Sequence, residues 1–345
     1  MMQAVSIDPV TDPRWRSFVA STGAATVFHA PEWIETLMQT YGYGSFSLAS
    51  VEGDRLTGVL PLLEIRSRLT GKRGVALPFS DYGGAAAESD AAHGLLVEAA
   101  LGLRRERGWS FVELRSPFAH PLGQTCAAYK RHTLHLDADQ DRLYRSFEKS
   151  QTQRGVSKFL KSGAVVERRT DSDALRAFMQ LNYLTRRRHG LPPQPDRFFL
   201  QLQKHILDRG LGFVSLARLD GAVLAACVFL MHGKTVYYKF GASDEEHLSH
   251  RPNHGIMWDV IRWASAQGYA ALDFGRSDLD GEGLIRFKRG WGTIETDLTY
   301  VRIGSRVQQS AEAGGGILGR AKPLLQRMPV PLLKMIGNIL YEHVG

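Results

Sequence analysis

The chain has 345 residues, 43% of them hydrophobic and 23% charged, a balance that excludes disordered and fibrous classes and suits two globular domains, each with its own core. Lys and Arg number 43 against 35 Asp and Glu, a net charge of +8, which favours anionic partners such as a phosphate, a nucleotide, tRNA or a membrane surface, and equally describes a solvated basic face. Only Cys126 and Cys227 are present, which excludes a disulfide framework and a paired-cysteine zinc site. The opening "MMQAVSIDPVTDPRWRSF" lacks the apolar run of a signal peptide, and no later window has span length free of charges and breakers. The expected location is the cytoplasm, or the inner face of the membrane.

Residues 47 to 63, "SLASVEGDRLTGVLPLL", predict a strand, a turn at Glu52, Gly53 and Asp54, and a second strand. "VALPFSDYGG" at 75 to 84 predicts an apolar strand ending in a polar, glycine-bearing loop. From His93, "HGLLVEAALGLRRERGWSFVELRS" predicts a helix with Leu96, Ala99, Ala100 and Leu103 on one face, a stop at Gly108, and a strand. A helical insert follows, starting near Asp137 to Asp139, with apolar contacts at Leu143 and Phe147 and a basic run through Lys149, Arg154, Lys158 and Lys161 up to Gly163. Two more helices, around 172 to 188 and 196 to 209, flank the breaker-rich "RRRHGLPPQP", a segment suited to cover a cleft.

The grammar then repeats. "SLARLDGAVLAACVFL" at 215 to 230 is again strand, turn and strand, with Cys227 buried; "VYYKFGASD" at 236 to 244 is again strand and loop. From His254, "HGIMWDVIRWASAQGYAALDFGRS" repeats the helix, with Ile256, Val260, Ile261 and Ala264 on its face and a stop at Gly268. Copies spaced about 160 residues apart imply two similar domains side by side. The expected fold class is α/β (α+β), each domain a mixed central sheet flanked by helices. Its boundaries are 1–135 for the first domain, 136–210 for a basic helical insert belonging to the second, 211–305 for the second core and 306–345 for a tail. Glycines at 314 to 316 predict a flexible joint, followed by apolar stretches interleaved with Arg320, Lys322, Arg327 and Lys334. Prolines 323, 329 and 331 prevent one long helix. Segment 317–341 suits peripheral contact with an anionic membrane, or packing on its own protein.

Metal, nucleophile-relay and phosphate-loop chemistry have little support, because the chain shows no His-Glu-x-x-His, nucleophile elbow, Walker loop or Gly-x-Gly-x-x-Gly at a strand-to-helix junction. His247, His250 and His254 are interrupted by Pro252, and Asn253 is the expected N-cap of a helix starting at His254. The loop "SDEEHLSHRPNHG" sets Arg251 beside that helix start, an arrangement suited to an anion, with His254 as a solvated first-turn residue in the plainer reading. The segment "ALDFGRSDLDGEGLIRFKRGWG" at 271 to 292 predicts a strand, a polar loop leaving its C-terminal end, and a helical turn or short strand. Loops in that position commonly carry function, which selects Arg276, Asp278 and Lys288. The competing reading of Lys288 is a surface lysine snorkelling between Phe287 and Trp291.

Taken together, "VLPLLEIRS", "LPFSDYGG", "SQTQRGVSKFLKSG", "AACVFLMHGKTVYYKFGASD" and "DFGRSDLDGEGLIRFKRGWG" resemble the FemAB-like branch of the GNAT-fold acyltransferases, over most of residues 30 to 303. The resemblance implies two GNAT-like domains in tandem and an N-acyltransferase. Such an enzyme moves an acyl or aminoacyl group from an activated ester or thioester to an amine on a cell-envelope or polysaccharide precursor, anionic or lipid-linked. It implies no permanently bound cofactor, and acyl-CoA or aminoacyl-tRNA as donor substrate. The Phe287-Lys288 pair looks like the family's phosphate-binding and oxyanion-stabilising lysine with its preceding phenylalanine. Arg154 looks like its acceptor-phosphate arginine. Arg276, Tyr238 and Arg251 complete the expected substrate-binding set, and Asp278, Asp280 or Glu282 could accept the amine proton, Asp278 first. The chain departs from the family in having no long coiled-coil arm for tRNA and no coenzyme A loop of the Arg/Gln-x-x-Gly-x-Gly/Ala kind. Rival readings are an acyl-CoA-dependent N-acetyltransferase and a non-catalytic basic module for RNA or an anionic surface. Monomer and dimer stay open.

Overall fold

The computed structural model describes residues 1–68, 70–116, 121–304 and 317–344. The first half runs β1 (Met2–Ser6), α1 (Pro13–Ser21), α2 (Pro31–Tyr41), β2 (Gly44–Ser45), β3 (Leu48–Glu52), β4 (Arg55–Leu60), β5 (Leu63–Ser67), β6 (Gly71–Val75), β7 (Ala86–Ala87), α3 (Asp90–Arg107), β8 (Phe111–Leu114) and β9 (Gly123–His135). A connecting region holds α4 (Gln140–Ser146), α5 (Arg154–Lys161), β10 (Val165–Arg169), α6 (Ser172–Arg188) and α7 (Asp196–Leu202). The second half runs β11 (Gly212–Leu219), β12 (Ala222–His232), β13 (Thr235–Ser243), α8 (Pro252–Ala266), β14 (Ala271–Asp278), α9 (Glu282–Arg289) and β15 (Ile294–Gly304), and the tail holds α10 (Ile317–Arg327) and α11 (Val330–Val344).

The repeat read from the sequence is present as topology. In each half a strand, a crossover helix and a second strand form a parallel pair: β6, α3 and β8, then β13, α8 and β14. Helix α3 starts where the Ser89 side chain accepts from the Ala92 amide at 3.2 Å and stops at Gly108, whose φ of 66° a side chain would resist. Helix α8 buries Ile256, Val260, Ile261 and Ala264, the face expected from their spacing. It begins at Pro252, not at His254, and its N-cap is Arg251 at φ 60° rather than Asn253. Proline is pre-organised for the first helical position, so it opens this helix instead of closing the loop before it.

Two features are non-local. The hairpin β3–β4 leaves its repeat, turning through Pro61 and Leu62, and joins a four-stranded sheet in the order β1-β3-β4-β7. The other strands form one eleven-stranded sheet, β10-β11-β12-β13-β14-β9-β15-β8-β6-β5-β2. Here the halves exchange their last strands: β9 pairs with β14 and β15, and β15 reaches back to β8. A core cluster spanning both halves joins Phe28, Trp33 and Leu37 to Phe178, Phe199 and Val228.

The tail packs on the protein. Leu325, Leu333 and Tyr341 are buried, Tyr43 donates to the Tyr341 carbonyl at 3.1 Å, and Lys334 bonds Asp196 at 2.6 Å. The expected joint at 314 to 316 lies outside the described residues. Among the described residues no helix is long and apolar enough to cross a membrane.

Candidate active site

The parallel pair β13–β14 is the seam where the site forms. The strands are in register from Thr235 with Ala271 to Tyr237 with Asp273, and beyond that point they part. A cavity of about 330 Å³ opens there, lined by Tyr238 to Gly241 on one side and Phe274 to Arg276 on the other. Two irregularities shape it. On β13, Val228 pairs with Phe240 and Phe229 with Tyr238, so Lys239 is the extra residue of a bulge, a device that re-aims a side chain. On β14 the register with β9 shifts between Asp273 and Arg276, and Gly275 stands at φ 69° with its α-carbon against the Asp81 carboxylate. A Cβ on Gly275 would lie 2.8 Å from Asp81 Oδ2, so only glycine lets the strand pass.

Lys288 rises from α9 into this seam and is 2% exposed, which excludes the snorkelling reading. Its Nζ donates to the carbonyls of Arg276 at 2.8 Å and Gly275 at 3.2 Å, at the distorted stretch of β14. An ammonium has three protons, so one remains for the cavity that Lys288 lines. Burial lowers its pKa to about 8, and the charges of Asp81, Asp273 and Asp278 oppose that fall. Lys239 is also buried, donating to Asp81 Oδ1 and the Phe79 carbonyl, both at 3.0 Å, with its Nζ 5.0 Å from the centre of the Phe28 ring. Burial depresses its pKa too, against the pull of Asp81. Arg276 donates to Tyr300 Oη at 2.6 Å and lies 4.1 Å over the Tyr129 ring, and Tyr300 Oη donates to the Asp81 carbonyl at 2.7 Å. Helix α6 adds Asn182, Thr185 and Arg186 to the lining, its C-cap His189 follows, and Gln194 comes from the proline-rich connection. Segment 186–195 thus does border a cleft.

Among the expected residues, Lys288, Arg276 and Tyr238 meet in this cavity. Phe287 does not line it: it packs edge-on to His254 at 5.2 Å and against Trp291 in the second core. Arg154 is exposed at the start of α5, beside exposed Lys149, Lys158 and Lys161. Arg251 is exposed, and His254 is buried, its pKa lowered to about 4 chiefly by burial, with Gly155 pressed against its ring. A buried neutral imidazole is not the solvated first-turn residue expected there. Asp278 ends β14 in solvent and, with exposed Asp280 and Glu282, stands outside the cavity lining. The carboxylate that lines it is Asp81. Sequence reading passed over Asp81, Lys239, Asn182 and Gln194, although "LPFSDYGG" and "VYYKFGASD" contain the first two. Among the described residues no group of three His, Cys, Asp or Glu side chains is arranged for a metal.

A family model described as an acetyltransferase (GNAT) domain matches residues 146–289. The solved structure of FemX aligns with a TM-score of 0.69 at 18% identity, covering 86% of this chain and 96% of FemX. The chain has a GNAT fold like that of FemX. A tandem GNAT protein from the clavulanic acid biosynthesis pathway aligns with a TM-score of 0.52 at 13% identity, over 88% of this chain and 98% of that one. At these identities the likeness concerns the fold. A lipid II:glycine glycyltransferase of Staphylococcus epidermidis is 32% identical over 80 residues, 21% of this chain and 19% of that relative. The chain therefore matches about a fifth of the length of the curated relatives.

Proposed function

We propose that the protein is an N-acyltransferase that moves an acyl or aminoacyl group from an activated ester or thioester to an amine on a lipid-linked cell-envelope precursor. The observation that carries this reading is the buried ammonium of Lys288, held by two strand carbonyls with one proton left for the cavity. In the reaction the amine nitrogen bonds to the carbonyl carbon, negative charge collects on its oxygen, and the carbon–oxygen or carbon–sulfur bond to the leaving group then breaks. A cation fixed in the cleft stabilises that oxygen without reorganising, an effect worth about 3 kcal/mol for a single donor. Asp81, the carboxylate on the lining, accepts the proton the amine loses.

The glycyl transfer to lipid II named for the staphylococcal relatives supports an envelope precursor as acceptor. The exposed basic face of Lys149, Arg154, Lys158 and Lys161 suits a tRNA-borne donor, whose phosphates would meet it outside the cavity. The test compares transfer by the wild type and Lys288→Ala, with glycyl-tRNA and with acetyl-CoA as donors. We expect a loss of about 100-fold in turnover with the productive donor; unchanged turnover ends the assignment to Lys288.

The tail supports a place at the membrane's inner face. Leu324, Leu332, Met335 and Ile339 are exposed on α10 and α11, with exposed Lys322 and Arg327 beside them, the composition of an interfacial helix pair. Because the opposite face is built into the fold, surface substitution is a better probe than deletion. Flotation with phosphatidylglycerol vesicles should be lost in a Leu332→Glu, Met335→Glu, Ile339→Glu variant that keeps its melting temperature, and retained binding would refute the contact.

A further inference from the structure

The loop that delivers Asp81 to the cavity is strained. Among the described residues, Leu77 at φ 57° and Phe79 at φ 59° stand in the left-handed region within this one loop. Bulky side chains resist that conformation and keep it only where their surroundings over-determine it, most often at functional sites. Leu77 is held by the core: it is fully buried, and its side chain fills the space beside Gly83, where a Cβ would come within 2.7 Å of it. Phe79 is held from outside the loop. Its ring lies 4.7 Å from that of Tyr41 and 5.4 Å from that of Tyr341. Its carbonyl accepts from Lys239 Nζ at 3.0 Å, the same ammonium that bonds Asp81 Oδ1 at 3.0 Å.

Tyr341 belongs to α11, and it grips a second part of the cavity lining. Its buried hydroxyl accepts from Arg186 at 2.8 Å and donates to the Pro192 carbonyl at 3.3 Å. Its backbone is fixed in turn: Tyr43 donates to the Tyr341 carbonyl at 3.1 Å and Arg73 to the His343 carbonyl at 2.7 Å. One turn earlier, Gly337 lets α11 lie on the connection, since a Cβ there would sit 2.2 Å from the Pro193 carbonyl oxygen. One side chain of the tail thus joins the loop of Asp81 to α6 and the proline-rich connection. We infer that Tyr341 is a positioning residue for the transfer reaction. Its ring, with that of Tyr41, keeps Phe79 in the left-handed conformation that aims Asp81 into the cavity, and its hydroxyl ties Arg186 to the same point. If Phe79 relaxed, the chain through Ser80 and Asp81 would swing, and Lys239 could no longer bond both of its acceptors. Tyr341 touches no reacting atom and acts through Asp81 and Arg186, so the inference rests on reading Asp81 as the base that takes the amine proton.

The ring and the hydroxyl are separable. Tyr341→Phe keeps the ring, so kcat should stay within about twofold while KM rises as Arg186 loses its tie; Tyr341→Leu loses both, and kcat should fall about tenfold or more. A merely structural role would not produce that split between kcat and KM in two variants that both unfold cooperatively. Hydrogen exchange followed by mass spectrometry reads the same clasp without turnover: amides of 77–84 should exchange about tenfold faster in Tyr341→Leu, with those of β6 and β8 unchanged. The strain itself is read by comparing Phe79→Gly with Phe79→Ala, which both lose the ring. Only glycine accepts the backbone, so its unfolding constant should be about fivefold smaller. Unchanged exchange in Tyr341→Leu, equal kcat in wild type and both Tyr341 variants, or equal stability of the two Phe79 variants overturns the inference. Retained turnover in Asp81→Asn would instead remove the base reading beneath it, and the exchange measurement would still uphold or overturn the clasp.

Discussion

The two parallel seams of this molecule start from the same grammar and end in opposite states. In the first half, β6 and β8 pair through Gly74 and Val75, and the chain beyond stays stitched: the Ala76 amide donates to the Glu113 carbonyl at 2.8 Å, and Gly83 and Arg115 exchange backbone bonds at 2.8 and 2.7 Å. The Glu113 carboxylate, held by Arg115 at 3.1 Å and Arg302 at 2.9 Å, fixes the closed seam, and their charges lower its pKa against the effect of burial. In the second half, β13 and β14 part after Tyr237 and Asp273, and cations without an equal number of acids line the gap. Duplication therefore supplied one seam that builds a scaffold and one that is left open. The loop of the closed seam even lends Asp81 to the open one.

This contrast can be broken from either side. The largest expected effect is Glu113→Ala, which strands two arginines in the closed seam and should cost about 3 kcal/mol in chemical denaturation while leaving ligand affinity at the open seam unchanged. Lys239→Met should cost somewhat less, about 2 to 3 kcal/mol, because Asp81 keeps partial access to water once its partner is lost. Its signature would be weaker anion binding in the cavity. Gly275→Ala forces a side chain into a left-handed backbone position against Asp81, for which a loss of about 1 to 3 kcal/mol and a displaced Lys288 are expected. Native folding with an unshifted Lys288 titration in that variant would show that the β14 distortion does not position the lysine.

Smaller effects separate the seams by pH. Lys288 titrates near 8 in the fold against an ordinary value of 10.5, so between those values the unfolded chain holds the extra proton and stability should rise with pH. Turnover that depends on the ammonium should fall over the same range. Opposite slopes in wild type, both absent in Lys288→Met, would tie the two to one group. His254, His29 and His132 are buried with pKa values near 4, below the ordinary 6.5, so their contribution is present above pH 6.5 and lost as pH falls toward 4. His254→Phe, at a ring that meets Phe287 edge-on and Trp291 at a tilt, should flatten that acid slope by the share of one proton in pH-dependent denaturation.

What was legible in the sequence is what repeats over short distances. Helical faces at Leu96 and Ile256, glycine stops at Gly108 and Gly268, and a strand followed by a charged loop before Lys288 all follow from local spacing and from residues with restricted backbone preferences. His254 and Phe287 misled, because a polar ring and a phenylalanine beside a lysine carry the same letters in a core as in a site. Their places between α5, α8 and α9 are set by packing.

By itself, then, the sequence determined the duplicated element order, the helix boundaries within a few residues, and the candidacy of Lys288 and Arg276. Only the tertiary structure decided that the halves trade β9 and β15, that the second seam rather than the first stays open, and that Asp81 meets Lys239 across 158 positions of chain. Periodicity reports which face of one element is apolar. Strand exchange, a bulge at Lys239 and the convergence of Asn182 with Gln194 depend on which distant elements pack together, and no local spacing encodes that.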